Sequence, residues 1–92
     1  MALSADEREM AIRIIKRMLS KGVIKKHHKQ PQTIAGWFAT HERGEVKQTI
    51  DAMATDPDVP LREKGRGTVT LTGRQQAKTY LRNHGAAPPD EW

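Results

Sequence analysis

Apolar residues recur along this chain with two different periods. From Ala5 to Lys21 they follow the 3.6-residue period of an amphipathic helix. Ala11, Ile12, Ile15 and Leu19 share one face, Ile14 and Met18 flank it, and Arg13, Lys16, Arg17 and Ser20 lie opposite. Ser4, with Glu7 three residues on, has the form of a capping box, and Gly22 is a natural stop. The apolar arc is wider than one packing partner requires. Either helix 1 is wrapped on two sides within the domain, or part of its arc faces a second subunit. Ile34, Trp37 and Phe38 predict helix 2 from about Gln32 to Ala39, entered at Pro31 and Thr33. Val46, Ile50, Met53 and Ala54 form an i, i+4, i+7, i+8 stripe, which predicts helix 3 from about Glu42 to Ala54. Asp56-Pro57-Asp58 breaks it. Ala77, Tyr80, Leu81 and His84 form one face of helix 4, from Gly73 or Arg74 to His84. Thr72 with Gln75 reads as a second capping box, and Gly85 as the stop.

The second period is two. Val59 and Leu61, then Val69 and Leu71, alternate with polar residues, and Thr68, Thr70 and Thr72 occupy the opposite face. That is the signature of a half-buried hairpin. Its loop is Glu63 to Gly67, with Gly65 and Gly67 supplying positive φ angles. Val23 to Gln30, "VIKKHHKQ", is short and basic and has room for one brief strand. The expected order is helix, short strand, helix, helix, β-hairpin, helix. The fold class is mainly α with a small β-hairpin (α+β). Residues 1–85 form a single domain, and residues 86–92 a flexible tail.

Composition narrows the function classes. The chain has 92 residues, which fits one small domain. It has no cysteine, so disulfides and thiolate metal sites are excluded. No apolar run approaches the ~20 residues of a membrane span, and the N-terminus lacks a signal-peptide pattern. The net charge is +5, and it is unevenly spread. Arg13, Lys16, Arg17, Lys21, Lys25, Lys26 and Lys29 follow one another without an acid between them. Arg62, Lys64, Arg66, Arg74, Lys78 and Arg82 are opposed by Glu63 alone. Such asymmetry is the footprint of a polyanion binder.

Catalytic patterns are missing. No serine–histidine–acid set, phosphate loop before a helix, or paired carboxylates in a plausible cleft is visible, so the chain reads as a non-enzyme. His27, His28, His41 and His84 offer no thiolate partner, and adjacent histidines on a strand point opposite ways. No metal, cofactor or small-molecule ligand is expected.

The stretch from Thr33 to Thr72, "TIAGWFATHERGEVKQTIDAMATDPDVPLREKGRGTVTLT", has helix-turn-helix proportions followed by a basic hairpin. In this it resembles the winged-helix (winged helix-turn-helix) family of DNA-binding domains. The resemblance implies that helix 3 enters the major groove and that the hairpin is a wing on the phosphate backbone. Arg43, Lys47 and Gln48 are then the candidates for base edges. Arg62, Lys64 and Arg66 recur at every second residue and are the wing candidates for the backbone. Lys25, Lys26 and Lys29 are flanking backbone candidates. Thr33 and Thr40 join them through hydroxyl and backbone N–H, although capping is the simpler role for both threonines. Glu42 and Glu45, near the N-terminus of helix 3, favour the helix through its dipole, but they and Asp51 repel phosphates. Asp51 has the i, i+4 spacing for an ion pair with Lys47. Trp37 and Phe38 are core residues by spacing, with base stacking as the other use of such rings.

The expected function is therefore double-stranded DNA binding by a small, cytoplasmic, nucleoid-associated transcriptional regulator. A homodimer is the expected assembly, with helix 1 and helix 4 supplying the interface, because both have apolar faces and only one central core to cover. The alternative is a winged helix used for protein–protein interaction within a larger assembly.

Overall fold

A computed structural model describes residues 3–86, apart from the side chains of Lys64 and Arg66. The expected tail therefore lies outside the described residues from 87 onward. The first helix, α1, spans Ala5–Lys21. The Glu7 amide donates to the Ser4 hydroxyl at 3.2 Å, and the Ser4 amide donates to the Glu7 carboxylate at 2.9 Å. These reciprocal bonds satisfy two amides that the first turn would otherwise leave unpaired. The helix closes on Gly22, whose φ of 71° is left-handed and suits a residue without a Cβ. Met10, Ala11, Ile14, Ile15, Met18 and Leu19 are all buried. Three later segments, Arg43–Thr55, Thr68–Leu71 and Arg74–Asn83, pack against α1. Its broad arc is thus wrapped within the chain.

The next helix is shorter than its apolar spacing predicts. α2 spans Pro31–Ala35 and not Gln32–Ala39. The Trp37 amide donates to Ile34 and the Phe38 amide to Ala35, both at 3.0 Å. These three-residue bonds tighten and end the helix. Trp37 and Phe38 therefore leave its end, with Phe38 buried and Trp37 half-buried. A single 3-10 turn, Thr40–Glu42, leads into α3, Arg43–Thr55. Val46, Thr49, Ile50 and Met53 point inward from α3.

Strand β1, Leu61–Lys64, pairs antiparallel with β2, Thr68–Leu71. The register sets Leu61 opposite Leu71 and Arg62 opposite Thr70. The connection is only Gly65–Gly67, in a 3-10 turn, so Glu63 and Lys64 belong to the strand and not to the loop. The two-residue period stops at Lys64, and backbone alternation does not carry through to Arg66. Of the two glycines, only Gly67 takes a positive φ, 74°. The last helix, α4, spans Arg74–Asn83. The second capping box does not form. The Thr72 amide donates to the Pro60 carbonyl at 3.0 Å, one residue beyond the end of β2, and Gly73 is the N-cap. The Gln76 side chain fills the space a Cβ on Gly73 would take. Ala77, Tyr80 and Leu81 are buried, whereas His84 is exposed, its ring 4.4 Å from that of Tyr80.

The fold is mainly helical with one small two-stranded antiparallel sheet. Its core joins Ile14, Ile15 and Met18 to Ile34, Ile50, Met53, Leu71 and Leu81. No helix among the described residues is long and apolar enough to cross a membrane.

Candidate nucleic-acid interface

The segment after α1 is the unexpected part of the structure. Ile24 bridges Leu71 in the parallel sense, yet Lys29 bridges Val69 in the antiparallel sense. The chain must reverse between them, so the brief strand expected at Val23 to Gln30 is replaced by a clasp. The reversal is a turn in which the His27 amide donates to Ile24 at 3.1 Å. Lys25 sits there with φ at 56°, a left-handed conformation unusual for a side chain of its size. Backbone bonds fasten both limbs to β2. Lys25 N–H donates to Leu71 at 2.9 Å, and Lys29 and Val69 exchange bonds at 3.0 and 2.8 Å.

Thr70 lies under the clasp. Its Oγ1 donates to the His27 carbonyl at 2.9 Å, and the residue is 1% exposed. The expectation that Thr70 faces solvent is overturned: the 24–29 segment covers that face of β2. Nothing in the alternation of strand residues signals this cover, because it comes from a segment 43 residues away.

The clasp brings cations together. Lys25 and Lys26 of the turn and Arg62 of β1 line one shallow depression with Thr70, Leu71 and Thr72, about 230 Å³ in volume. Every side chain around it is cationic, a hydroxyl or apolar. Of the sequence candidates, Lys25, Lys26 and Arg62 are thus joined in space. Lys29 is exposed at the far limb of the clasp. Lys64 ends β1, paired with Thr68, and Arg66 is the middle residue of the hairpin tip; the side chains of both lie outside the described residues.

Helix α3 separates its charges. At 100° per residue, with Val46 and Met53 facing the core, Arg43 and Lys47 fall on one flank and Glu45 on the other. Glu45 lines a depression with Asp6 and Glu9 of α1. Lys47, Asp51 and Gln48 are exposed across the outer face. Among the described residues, Lys47 and Asp51 do not form the ion pair their spacing allows. Glu42 instead takes a bidentate bond from Arg13 of α1, at 2.7 and 3.2 Å. That bond holds the Glu42 carboxyl below its ordinary pKa and the Arg13 guanidinium above its own. The acid at the head of α3 is therefore neutralised by a partner 29 residues away, which sequence spacing could not show.

Thr33 and Thr40 are exposed, and neither is a cap. The N-cap positions are Gln30 and Ala39, so Thr33 is the third residue of α2 and Thr40 the first of the 3-10 turn. Comparison of the chain with protein-family models, with curated proteins and with solved structures finds no match.

Proposed function

We propose that the chain is a winged helix-turn-helix domain that binds double-stranded DNA. In this reading α2, the 3-10 turn and α3 are the helix-turn-helix, and β1–β2 is the wing. The observation that carries the reading is the gathering of Lys25, Lys26 and Arg62 around one depression on the hairpin. Cations fixed to a sheet by backbone bonds can neutralise phosphates and release counterions with little ordering cost. Arg43 and Lys47 supply donors for guanine and Gln48 for adenine, and Glu42 no longer opposes them with a free charge. Lys64 at the end of β1 and Arg66 in the hairpin tip remain backbone candidates by sequence, as do Lys29, Thr33 and Thr40. Because α1 and α4 bury their apolar faces within one chain, a single protomer is the binding unit proposed, and a homodimer would need another surface. The role of a nucleoid-associated transcriptional regulator belongs to this same proposal.

The test is fluorescence anisotropy of a labelled duplex, titrated at several salt concentrations. Wild type should bind with a steep negative salt slope. Changing Lys25, Lys26 and Arg62 to Ala together should flatten that slope by about 3 and weaken all duplexes alike. Lys47→Ala and Gln48→Ala should instead change which sequence is preferred, each by about 1–3 kcal/mol of discrimination. An unchanged slope in the triple variant would refute the wing assignment. The acidic flank of Asp6, Glu9 and Glu45 favours a second reading, a protein-contact module. Wild type that ignores duplex DNA even at low salt would select it.

A further inference from the structure

A second basic surface lies outside the proposed wing. The polar face of α1 and the corner after α2 enclose an open groove of about 450 Å³. Arg13, Lys16, Arg17 and Ser20 form one wall, and Trp37 and Phe38 form the other. Arg13 and Arg17 lie four residues apart, as do Lys16 and Ser20 and then Arg17 and Lys21, so the cations of this face recur at about one 5.4 Å turn. Lys21, the next cation along, holds its Nζ 5.4 Å from the centre of the Trp37 ring. Arg13 stands 5.3 Å from the centre of the Phe38 ring. One carboxylate, Glu42, also lines the groove, but Arg13 already binds both its oxygens. The remaining field is positive, beside an indole that is half exposed.

We propose that this groove binds single-stranded nucleic acid, with a base stacked on Trp37 and phosphates along Arg17, Lys16 and Lys21. A row of cations tracking a backbone beside an aromatic platform is the arrangement that holds unpaired strands. A peptide of acidic residues alone would use the same cations but has no flat ring to lay on the indole. A duplex keeps its bases stacked inside and cannot offer one to Trp37. The volume suits one nucleotide unit, within the range of small-molecule sites. This site is independent of the wing, since Lys25, Lys26 and Arg62 lie around another depression.

The experiment uses the full chain with Trp92→Phe, so that Trp37 is the only tryptophan, and with Arg62, Lys64 and Arg66 changed to Ala. It is titrated at low salt with an oligothymidylate of about eight nucleotides, a length within the span of such grooves. The expected result is saturable quenching of Trp37 emission. Arg17→Glu, at an exposed position, should weaken that binding about tenfold or more by reversing one contact charge. Trp37→Leu, read by anisotropy of a labelled strand, should weaken it by a similar factor. Unchanged emission at saturating strand, or equal affinity in Arg17→Glu, would overturn the proposal. Quenching by polyglutamate as strong as by the oligonucleotide would also overturn it, since the groove would then read charge and not bases.

Discussion

Replacing Thr70 with valine removes one hydroxyl and nothing else of consequence in size. The hydroxyl donates to the His27 carbonyl at 2.9 Å from a residue that is 1% exposed. A buried hydrogen bond contributes about 1 kcal/mol net, and stranding its acceptor costs about 1–3 kcal/mol. The bond is only part-buried, so the lower half of that range applies. The expected loss is about 1–2 kcal/mol, or roughly 5–10 °C in Tm for a domain of this size. Thr70→Ser is the control. It keeps the donor and loses one methyl, about 0.8 kcal/mol of burial. Thermal denaturation alone cannot separate the two losses well. Amide hydrogen exchange can, because the Lys25 and Lys29 amides donate to Leu71 and Val69 only while the clasp is closed. In Thr70→Val both amides should exchange faster than in Thr70→Ser, and duplex affinity should fall with them. If Thr70→Val protects these amides as wild type does, the clasp does not depend on Thr70 and the reasoning fails.

Lys25→Gly should separate stability from binding. It removes a left-handed side chain at φ 56°, which costs about 1 kcal/mol, so urea stability should hold or rise while duplex affinity and salt slope fall. Glu42→Gln should lower Tm at neutral pH through loss of the Arg13 bond. The folded carboxyl titrates below its ordinary value of 4.5, so the bond stabilises above that pH and fades as pH falls through the folded pKa. The Tm gap between wild type and Glu42→Gln should therefore close below pH 4.5 in a pH series. Asp51→Asn removes the carboxylate left on the outer face of α3. Coulomb repulsion from a phosphate about 8 Å off in water is about 0.5 kcal/mol, so anisotropy should show about twofold tighter duplex binding at low salt. No gain, or a loss, would mean that Asp51 does not face the DNA.

Signals that act within one or two helical turns were legible in the chain. The Ser4–Glu7 capping box, the left-handed stop at Gly22 and the Val46–Ile50–Met53 stripe each depend on neighbours three to seven positions away. So did the antiparallel hairpin, which needs only alternation and a glycine tip. What was not legible involves partners from distant elements. Thr70 reads as a solvent-facing strand residue until the 24–29 segment is laid over it. Thr72 reads as a helix cap until its amide is seen to donate to Pro60. Helix 2 was overextended because apolar spacing does not reveal where four-residue bonds give way to three-residue ones. At the candidate interface, residue types were legible and their grouping was not. Lys25, Lys26 and Arg62 could be nominated separately, but only the clasp shows that they share one depression.

Two long-range polar contacts act on the charges in opposite ways. The Thr70–His27 bond is made by uncharged groups, so it fixes the clasp without using any lysine. Lys25 and Lys26 remain exposed and charged for a ligand. The Arg13–Glu42 bond uses a charge of each sign and removes both from the surface potential. It cancels a carboxylate at the head of α3, where the helix dipole would welcome an acid but a phosphate would not. The cation it uses belongs to α1, whose polar face still carries Arg17 and Lys21 one and two turns further on. Pairing Arg13 therefore leaves α1 basic, while the carboxylate just before α3 gains a partner. A direct Lys47–Asp51 pair within α3 would have done the reverse. It would have neutralised a cation on the face proposed to read bases and left Glu42 exposed at the tip. In the proposed reading, an ion pair placed across elements and away from Lys47 leaves that lysine available to a phosphate.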